Sequence, residues 1–217
     1  MINPIYEDNH IIVVEKPINV LVQADKTNDL DLLTIIKNYL KTKYNKPGDA
    51  YLGLVHRLDR PVGGIMVFAK TSKAASRLSE QIRNNELDKI YYAIVCGKLE
   101  KNKGILEDKL KKDIKTNIVS ISEDGKISKL EYEVVDYKEG YSLIKIHLIT
   151  GRSHQIRVQF ASRNHPLFGD AKYNKNHKNK EQIALFAKEI SFYHPIKKEK
   201  LTFSIDLPTH YPWNIFK

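Results

Sequence analysis

The sequence has little cysteine and tryptophan. It contains one cysteine, Cys96, and one tryptophan in 217 residues. A single thiol forms no disulfide within the chain and favours a reducing compartment. No cysteine and histidine residues stand at metal-ligand spacing. The apolar runs are well under the roughly 20 residues that span a bilayer, and residues 1–10 are too polar for a signal peptide. These absences predict a cytoplasmic protein without a metal.

Positive charge is the main excess of the composition. Lysine and arginine total 36 against 26 aspartate and glutamate residues, which gives a formal net charge of +10. Such a surplus favours a polyanionic partner such as nucleic acid. The alternative is a lysine bias that only keeps the protein soluble. The lysine-rich run 172–180 is predicted to be an exposed loop, with a contact to an RNA backbone as the sharper alternative.

The hydrophobic pattern predicts an α+β fold with a mixed, mostly antiparallel central sheet and flanking helices. The length fits a single domain over residues 1–217. Helices are expected at 29–44, 71–84 and 155–163, with Asp29 or Asp31, Ser72 and Ser153 as their N-caps. Strands are expected at 10–14, 52–56, 64–69, 90–95, 118–121, 130–135, 143–149, 183–192 and 201–205.

The first candidate motif is His56-Arg57-Leu58-Asp59, which stands between a predicted strand and a turn with two glycines. Loops at strand ends hold side chains toward solvent or substrate. Taken alone, these four residues favour a simple surface ion pair between the arginine and the aspartate.

The second candidate motif, residues 150–157, joins a predicted strand to a predicted helix. Gly151 permits a sharp turn. Two arginines, Arg152 and Arg157, with Ser153 as the N-cap would make an anion site at the start of the helix. The alternative is a structural turn whose arginines are solvated.

The third candidate motif, residues 89–97, contains two adjacent tyrosines on a predicted strand. Tyr91 and Tyr92 therefore point to opposite faces. One can pack in the core while the other lines a cleft, where an aromatic ring stacks on a base. Core packing is the alternative for each tyrosine, and Cys96 is predicted to be a buried structural thiol.

Together and in this order, the three motifs resemble the RluA-type family of RNA pseudouridine synthases. Residues 56–59 with Gly63-Gly64 resemble its catalytic loop, 89–97 its tyrosine strand and 148–157 its basic motif. Further segments fit the same family over nearly the whole chain: 15–17, 166–173 and 187–195.

The resemblance implies an enzyme that isomerises uridine to pseudouridine in a folded RNA without a cofactor. Asp59 is the implied catalytic carboxylate, which attacks C1′ or assists removal of a proton from C2′. Arg157 is its implied cationic partner. Tyr91 is implied to stack on the base and to take the C5 proton.

Substrate binding is implied for the other residues of these motifs. Arg57 would fill the stack that a flipped uridine vacates, and Leu58 and Ile156 would form apolar walls that exclude water. The remaining implied binding residues are His56, Arg152, His154 and Gln155. The expected partner is a stem-loop of ribosomal or transfer RNA, and a monomer is the default expectation.

The chain departs from the family pattern in three places. Val62-Gly63-Gly64 stands where the family usually has Thr-Ser-Gly, and Gln159 and Phe186 stand where histidine is usual. Many relatives carry a small N-terminal RNA-binding module, which is expected to be absent here because the first motif begins near residue 11.

Two other functions stay open. One is a non-catalytic RNA-binding or RNA-folding factor, which would not need Asp59. The other is a glycosidase acting on a small nucleoside, which needs a second acid; Asp170 and Glu15 are the possibilities near the motifs.

Overall fold

The computed structural model describes residues 2–27, 29–45, 47–177 and 181–217. They divide into two compact units. The first unit comprises Met1–Asp88 and Ala187–Ile205, and the second comprises Lys89–Phe186 and Asp206–Lys217. None of the helices in the described part of the chain is long and apolar enough to cross a membrane.

The described elements alternate irregularly between strands and helices. In chain order they are β1 (Tyr6–Glu7), β2 (Ile11–Lys16), α1 (Leu32–Lys43), β3 (Gly53–Leu54), β4 (Gly63–Ala69), α2 (Ser72–Arg83), β5 (Asp88–Cys96), β6 (Lys103–Asp113), β7 (Ile118–Ile121), β8 (Lys126–Lys138), β9 (Tyr141–Leu148), α3 (Gln155–Ala161), β10 (Leu185–Tyr193), β11 (Lys200–Ser204) and a 3-10 helix (Trp213–Phe216).

The first unit is built around strand β4, in which every residue is buried. Strand β4 pairs antiparallel with β2 and β3 and neighbours β10 in the sheet. Strand β2 pairs with β1, and β10 with β11, both antiparallel. Helix α2 packs against this sheet through Ala74 and Leu78, which share a core with Val13, Val67 and Phe192.

In the second unit, five strands lie in the order β5-β9-β8-β6-β7. Adjacent strands of this set are all antiparallel. Helix α3 contacts β6 and β7. Six of its seven residues are buried, from Gln155 to Phe160, so this short helix places polar side chains inside the protein.

The predicted fold class is confirmed, and the three predicted helices are present. Asp31 caps α1 by accepting a hydrogen bond from the backbone N–H of Thr34. Ser72 is wrong as the N-cap of α2, because the side chain of Thr71, one residue earlier, accepts the hydrogen bond from the backbone N–H of Ala74.

Strand β6 was missed. Only Leu106 and Leu110 are buried among its eleven residues, and lysines dominate the rest, so an apolar alternation is hardly visible.

Gly64 fixes the point where the loop that carries Asp59 enters β4. Its φ is +128°, a backbone conformation that glycine adopts readily and other residues avoid. A Cβ atom built on Gly64 would lie 2.3 Å from the carbonyl oxygen of Ala187 in β10. No side chain fits there unless the strands move apart.

Replacing Gly64 by alanine should therefore lower the free energy of unfolding by about 3 kcal/mol, through backbone strain and a clash with the neighbouring strand. Gly48→Ala is the matched control, since an added Cβ there meets nothing within 4 Å. Thermal and urea unfolding would compare the two variants with the wild type. Equal stability of both variants would show that β4 and β10 can separate without cost.

Candidate active site

In the first unit, the His56–Asp59 motif lies in the loop between β3 and β4. Arg57 is exposed, Leu58 is 8% exposed and Asp59 is half-buried. The backbone N–H of Val62 donates to the carbonyl oxygen of Asp59 over 3.0 Å. This bond closes a tight turn immediately after the candidate catalytic residue.

The side chain of His56 ties this loop to the sheet. Its Nε2 accepts a hydrogen bond from the backbone N–H of Val67 over 3.1 Å. A neutral imidazole that accepts through Nε2 carries its proton on Nδ1. His56 thus takes a backbone bond of β4 that a longer β3 would take, which explains why this strand ends at Leu54 and not at residue 56 as predicted.

The side chain of Lys16 also stabilises this loop. Sequence analysis named this residue only as part of the segment 15–17. Its side chain is fully buried. Its Nζ donates to the carbonyl oxygens of Pro17 at 2.9 Å, Val20 at 2.7 Å and Arg60 at 3.0 Å. Burial lowers the pKa of Lys16 to about 8, although the negative charge of Asp59 raises it. A single ammonium group thereby joins the end of β2 to the residue that follows Asp59.

In the second unit, Tyr91 lies in β5 opposite Ile146 of β9 and is 6% exposed. Tyr92 points to the other face of the strand and is half-buried. The two tyrosines therefore occupy opposite faces, as the strand period predicts.

Arg157 is buried in α3 and forms a two-bond ion pair with Asp170. Its Nε donates to Oδ2 over 2.8 Å and its Nη2 to Oδ1 over 2.7 Å. The carboxylate is fully buried and the guanidinium is 5% exposed. Oδ1 also accepts the backbone N–H groups of Lys172 and Tyr173. Sequence reasoning missed this role of Asp170, which was considered only as a possible second acid.

Tyr173 connects Arg157 to His154. Its ring lies 5.2 Å from the guanidinium carbon of Arg157. Its hydroxyl accepts the backbone N–H of Val119 over 2.9 Å and lies 2.7 Å from Nδ1 of His154. The Tyr173 hydroxyl thus bonds both β7 and His154, and its bond with Nδ1 runs in the direction that the imidazole tautomer sets.

Helix α3 begins differently from the prediction. Its N-cap is His154, in the left-handed conformation with φ of 51° and without a side-chain cap, and not Ser153. The helix ends at Ala161, two residues earlier than predicted. The Oε1 atom of Gln155 accepts the backbone N–H of Arg152 over 3.1 Å. At the start of α3, a backbone N–H is therefore bound by the side chain of the buried Gln155 and not by that of Ser153.

The other predicted binding residues differ in exposure. Arg152 is exposed, and its Nε donates to the carbonyl oxygen of Ile127 over 3.3 Å. Gln155 and Ile156 are buried at 3% and 4% exposure. In the lysine-rich run, Lys172 donates to the carbonyl oxygen of Asn117 over 2.9 Å. Residues 178–180 of that run lie outside the described residues.

The three departures from the family pattern have structural partners. Val62 is 2% exposed, and Gln159 is fully buried. The ring of Phe186 packs edge-to-face on Trp213, with ring centroids 6.3 Å apart. Within the described residues, no group of three or more histidine, cysteine, aspartate or glutamate side chains is placed to hold a metal ion.

Comparison with known proteins identifies a family. Residues 10–162 match the family described as RNA pseudouridylate synthase. An uncharacterised RNA pseudouridine synthase of Aquifex aeolicus (strain VF5) is 34% identical over 220 residues, which cover 95% of this chain and 70% of the relative. The ribosomal large subunit pseudouridine synthase D of Vibrio cholerae is 32% identical over 228 residues, covering 95% of this chain and 68% of the relative.

The fold agrees with solved structures. Human RNA pseudouridylate synthase domain containing 4 superposes with a TM-score of 0.79 at 21% identity, covering 94% of this chain and 88% of that one. At this identity the likeness concerns the fold.

Replacing Asp170 by asparagine should destabilise the protein by about 3 kcal/mol, because the buried guanidinium of Arg157 loses the carboxylate to which it donates two hydrogen bonds. Glu133→Gln is the matched control in the same unit. It breaks an exposed ion pair with Lys103, and such pairs contribute less than about 1 kcal/mol. Urea unfolding would measure both variants. An Asp170→Asn protein as stable as the control would mean that Arg157 does not depend on this carboxylate.

Proposed function

Because the chain belongs to the RNA pseudouridylate synthase family, we propose that it isomerises specific uridines in structured RNA through Asp59. The supporting observation is the loop of residues 56–59. It lies inside the matched range 10–162 and carries a half-buried carboxylate on a backbone that His56 and Lys16 hold in place.

The reaction rearranges bonds within one nucleotide. The bond between C1′ and N1 breaks, a bond between C1′ and C5 forms, and the proton on C5 is replaced by one on N1. The atoms balance without an oxidant or reductant. Asp59 either attacks C1′ or assists removal of a proton from C2′, and both routes need an ionised carboxylate.

Tyr91 and Arg157 keep the catalytic roles that the family resemblance implies. Tyr91 stacks on the base and removes the C5 proton, and Arg157 is the cationic partner of Asp59. An arginine suits this role because its guanidinium is planar and always charged. The pair with Asp170 fixes the orientation of that guanidinium.

The RNA contacts follow from exposure and charge. A stacked uridine is out of reach of a pocket, so the base is flipped out at a cost of a few kcal/mol. Arg57, which is exposed, fills the vacated stack, and Leu58 and Ile156 shield the detached uracil from water. Arg152, His154 and Gln155 belong to the segment that binds the RNA backbone.

The substrate class is proposed from the relatives. A relative named as acting on the large ribosomal subunit favours ribosomal RNA, with transfer RNA as the alternative. A ribosomal RNA substrate would place the enzyme in the cytoplasm. The catalytic domain is proposed to be the whole of residues 1–217 and to act as a monomer.

Asp59→Asn should fold normally but make no pseudouridine, since the amide can neither attack C1′ nor accept a proton. The substrate is unmodified total RNA, and pseudouridine is mapped by carbodiimide labelling and primer-extension stops. Asp25→Asn, which removes an exposed carboxylate of the same unit, should retain full activity.

Stops that appear with the wild type and Asp25→Asn, and not with Asp59→Asn, support the proposal and identify the RNA. If none of the three proteins produces a stop while all bind RNA equally, the non-catalytic RNA-binding factor becomes the better account.

A further inference from the structure

A chain of hydrogen bonds runs through the second unit from the loop of Arg152 to Asp108. The backbone N–H of Arg152 donates to Oε1 of Gln155 over 3.1 Å. Nε2 of Gln155 donates to Oε1 of Gln159 over 3.1 Å. Nε2 of Gln159 donates to Oδ2 of Asp108 over 2.8 Å and to the carbonyl oxygen of Ser128 over 3.2 Å.

The chain can form in one direction only, because both ends are chemically fixed. At one end, the Asp108 carboxylate and the Ser128 carbonyl accept hydrogen bonds and cannot donate. At the other end, the backbone N–H of Arg152 donates and cannot accept. Each glutamine amide between them must therefore turn its oxygen toward Arg152 and its NH₂ group toward Asp108.

The members of the chain are shielded from water, which makes the direction costly to reverse. Gln155 is 3% exposed, and Gln159 and Ser128 are fully buried. Reversing either amide would leave a buried donor facing a donor, or an acceptor facing an acceptor.

The charge of Asp108 is itself stabilised by Arg163. Nη1 and Nη2 of Arg163 donate to the two carboxylate oxygens of Asp108 over 3.0 and 3.1 Å. The side chain of Asp108 is 12% exposed, so the anion at the end of the chain is paired and largely buried.

The same chain holds Thr150, two residues before Arg152. The Thr150 hydroxyl accepts the backbone N–H of Lys129 in β8 over 2.8 Å and donates to Oε1 of Gln155 over 2.7 Å. The Oε1 atom of Gln155 therefore accepts hydrogen bonds from the loop at both Thr150 and Arg152. The exposed Arg152 side chain is presented from a backbone whose position depends on the orientation of Gln155.

We propose that Asp108, Gln159 and Gln155 are positioning residues that hold Arg152 ready for a phosphate of the RNA. This inference rests on the proposed function, in which Arg152 contacts the RNA backbone. Asp108 acts through two buried amides and does not itself touch the RNA.

The direction in which Asp108→Asn changes the affinity for RNA distinguishes this positioning role from a simple change in net charge. Asp108→Asn removes a negative charge, and by charge alone it should strengthen binding to a polyanion. If the hydrogen-bond chain loses its fixed direction, the opposite is expected. The dissociation constant for RNA should rise about three- to tenfold, which is the scale of one phosphate contact. Glu107→Gln is the charge-matched control, because its exposed side chain lies on the opposite face of β6 and pairs with Lys129.

The test measures binding to in vitro-transcribed large-subunit ribosomal RNA over a range of salt concentrations. Arg152→Gln should reduce the slope of log K against log salt by about one contact. Asp108→Asn should reduce it in the same direction, and in the Arg152→Gln background it should weaken binding no further and change affinity only as Glu107→Gln does. A general loss of folded protein would reduce the active fraction and leave the slope unchanged.

Gln159→Met provides a second route in case Asp108→Asn folds poorly. It removes the three hydrogen bonds of the Gln159 amide, to Gln155, Asp108 and Ser128, and leaves the ion pair between Asp108 and Arg163 in place. It should weaken binding as Asp108→Asn does, and again only when Arg152 is present.

Two results would overturn the inference. One is that Asp108→Asn or Gln159→Met weakens RNA binding by the same factor with and without Arg152. The other is that both of these variants bind RNA as tightly as Glu107→Gln does. Binding is measured apart from pseudouridine formation, so its outcome does not depend on catalysis. A wild type that makes pseudouridine while the chain variants bind normally sinks this inference alone. If the wild type makes no pseudouridine but the effect of Asp108→Asn on RNA binding still depends on Arg152, only the proposed reaction is overturned.

Discussion

A cation that is buried in a protein must be given acceptors that replace water, and each of the two units contains one such cation close to its candidate residues. Arg157 meets this need with the carboxylate of Asp170, and Lys16 with three backbone carbonyl oxygens. The kind of acceptor matches the shape of each cationic group. The planar guanidinium matches the two oxygens of a carboxylate, whereas the compact ammonium can collect carbonyls from separate turns. Each cation thus fixes backbone around it, and Lys16 does so at Arg60, the residue after Asp59.

Much of the local structure could be predicted from the sequence. Apolar spacing located α1 and α2, and the two-residue period of strands placed Tyr91 and Tyr92 on opposite faces. Such signals are carried by neighbouring residues, so they survive without knowledge of the fold. The errors at helix starts are of the same local kind. Thr71 and Ser72 are both good caps, and the choice depends on which backbone leaves the extended conformation first.

The contacts between distant segments could not be predicted. Nothing in the sequence near Arg157 announces Asp170 as its partner, because the pairing depends on how the chain returns after α3. The same holds for His56, which was expected to bind substrate and which accepts a backbone hydrogen bond from β4. Strand β6 escaped notice because its inner face is partly polar, and Asp108 on that face is the acceptor that Gln159 requires.

The glutamine at position 159, where the family usually has histidine, has a consequence for the hydrogen-bond chain. A neutral imidazole offers one donor and one acceptor, as the amide does, but a protonated imidazole offers two donors. Near its usual pKa of about 6.5 it would lose the acceptor that faces Nε2 of Gln155. An amide does not titrate in this range. With Gln159 in place, the direction of the chain is set by the Asp108 carboxylate, which pairs with the guanidinium of Arg163. Gln159 therefore places no titrating group between Asp108 and Gln155, whereas a histidine at this position would make the orientation of Gln155 depend on pH.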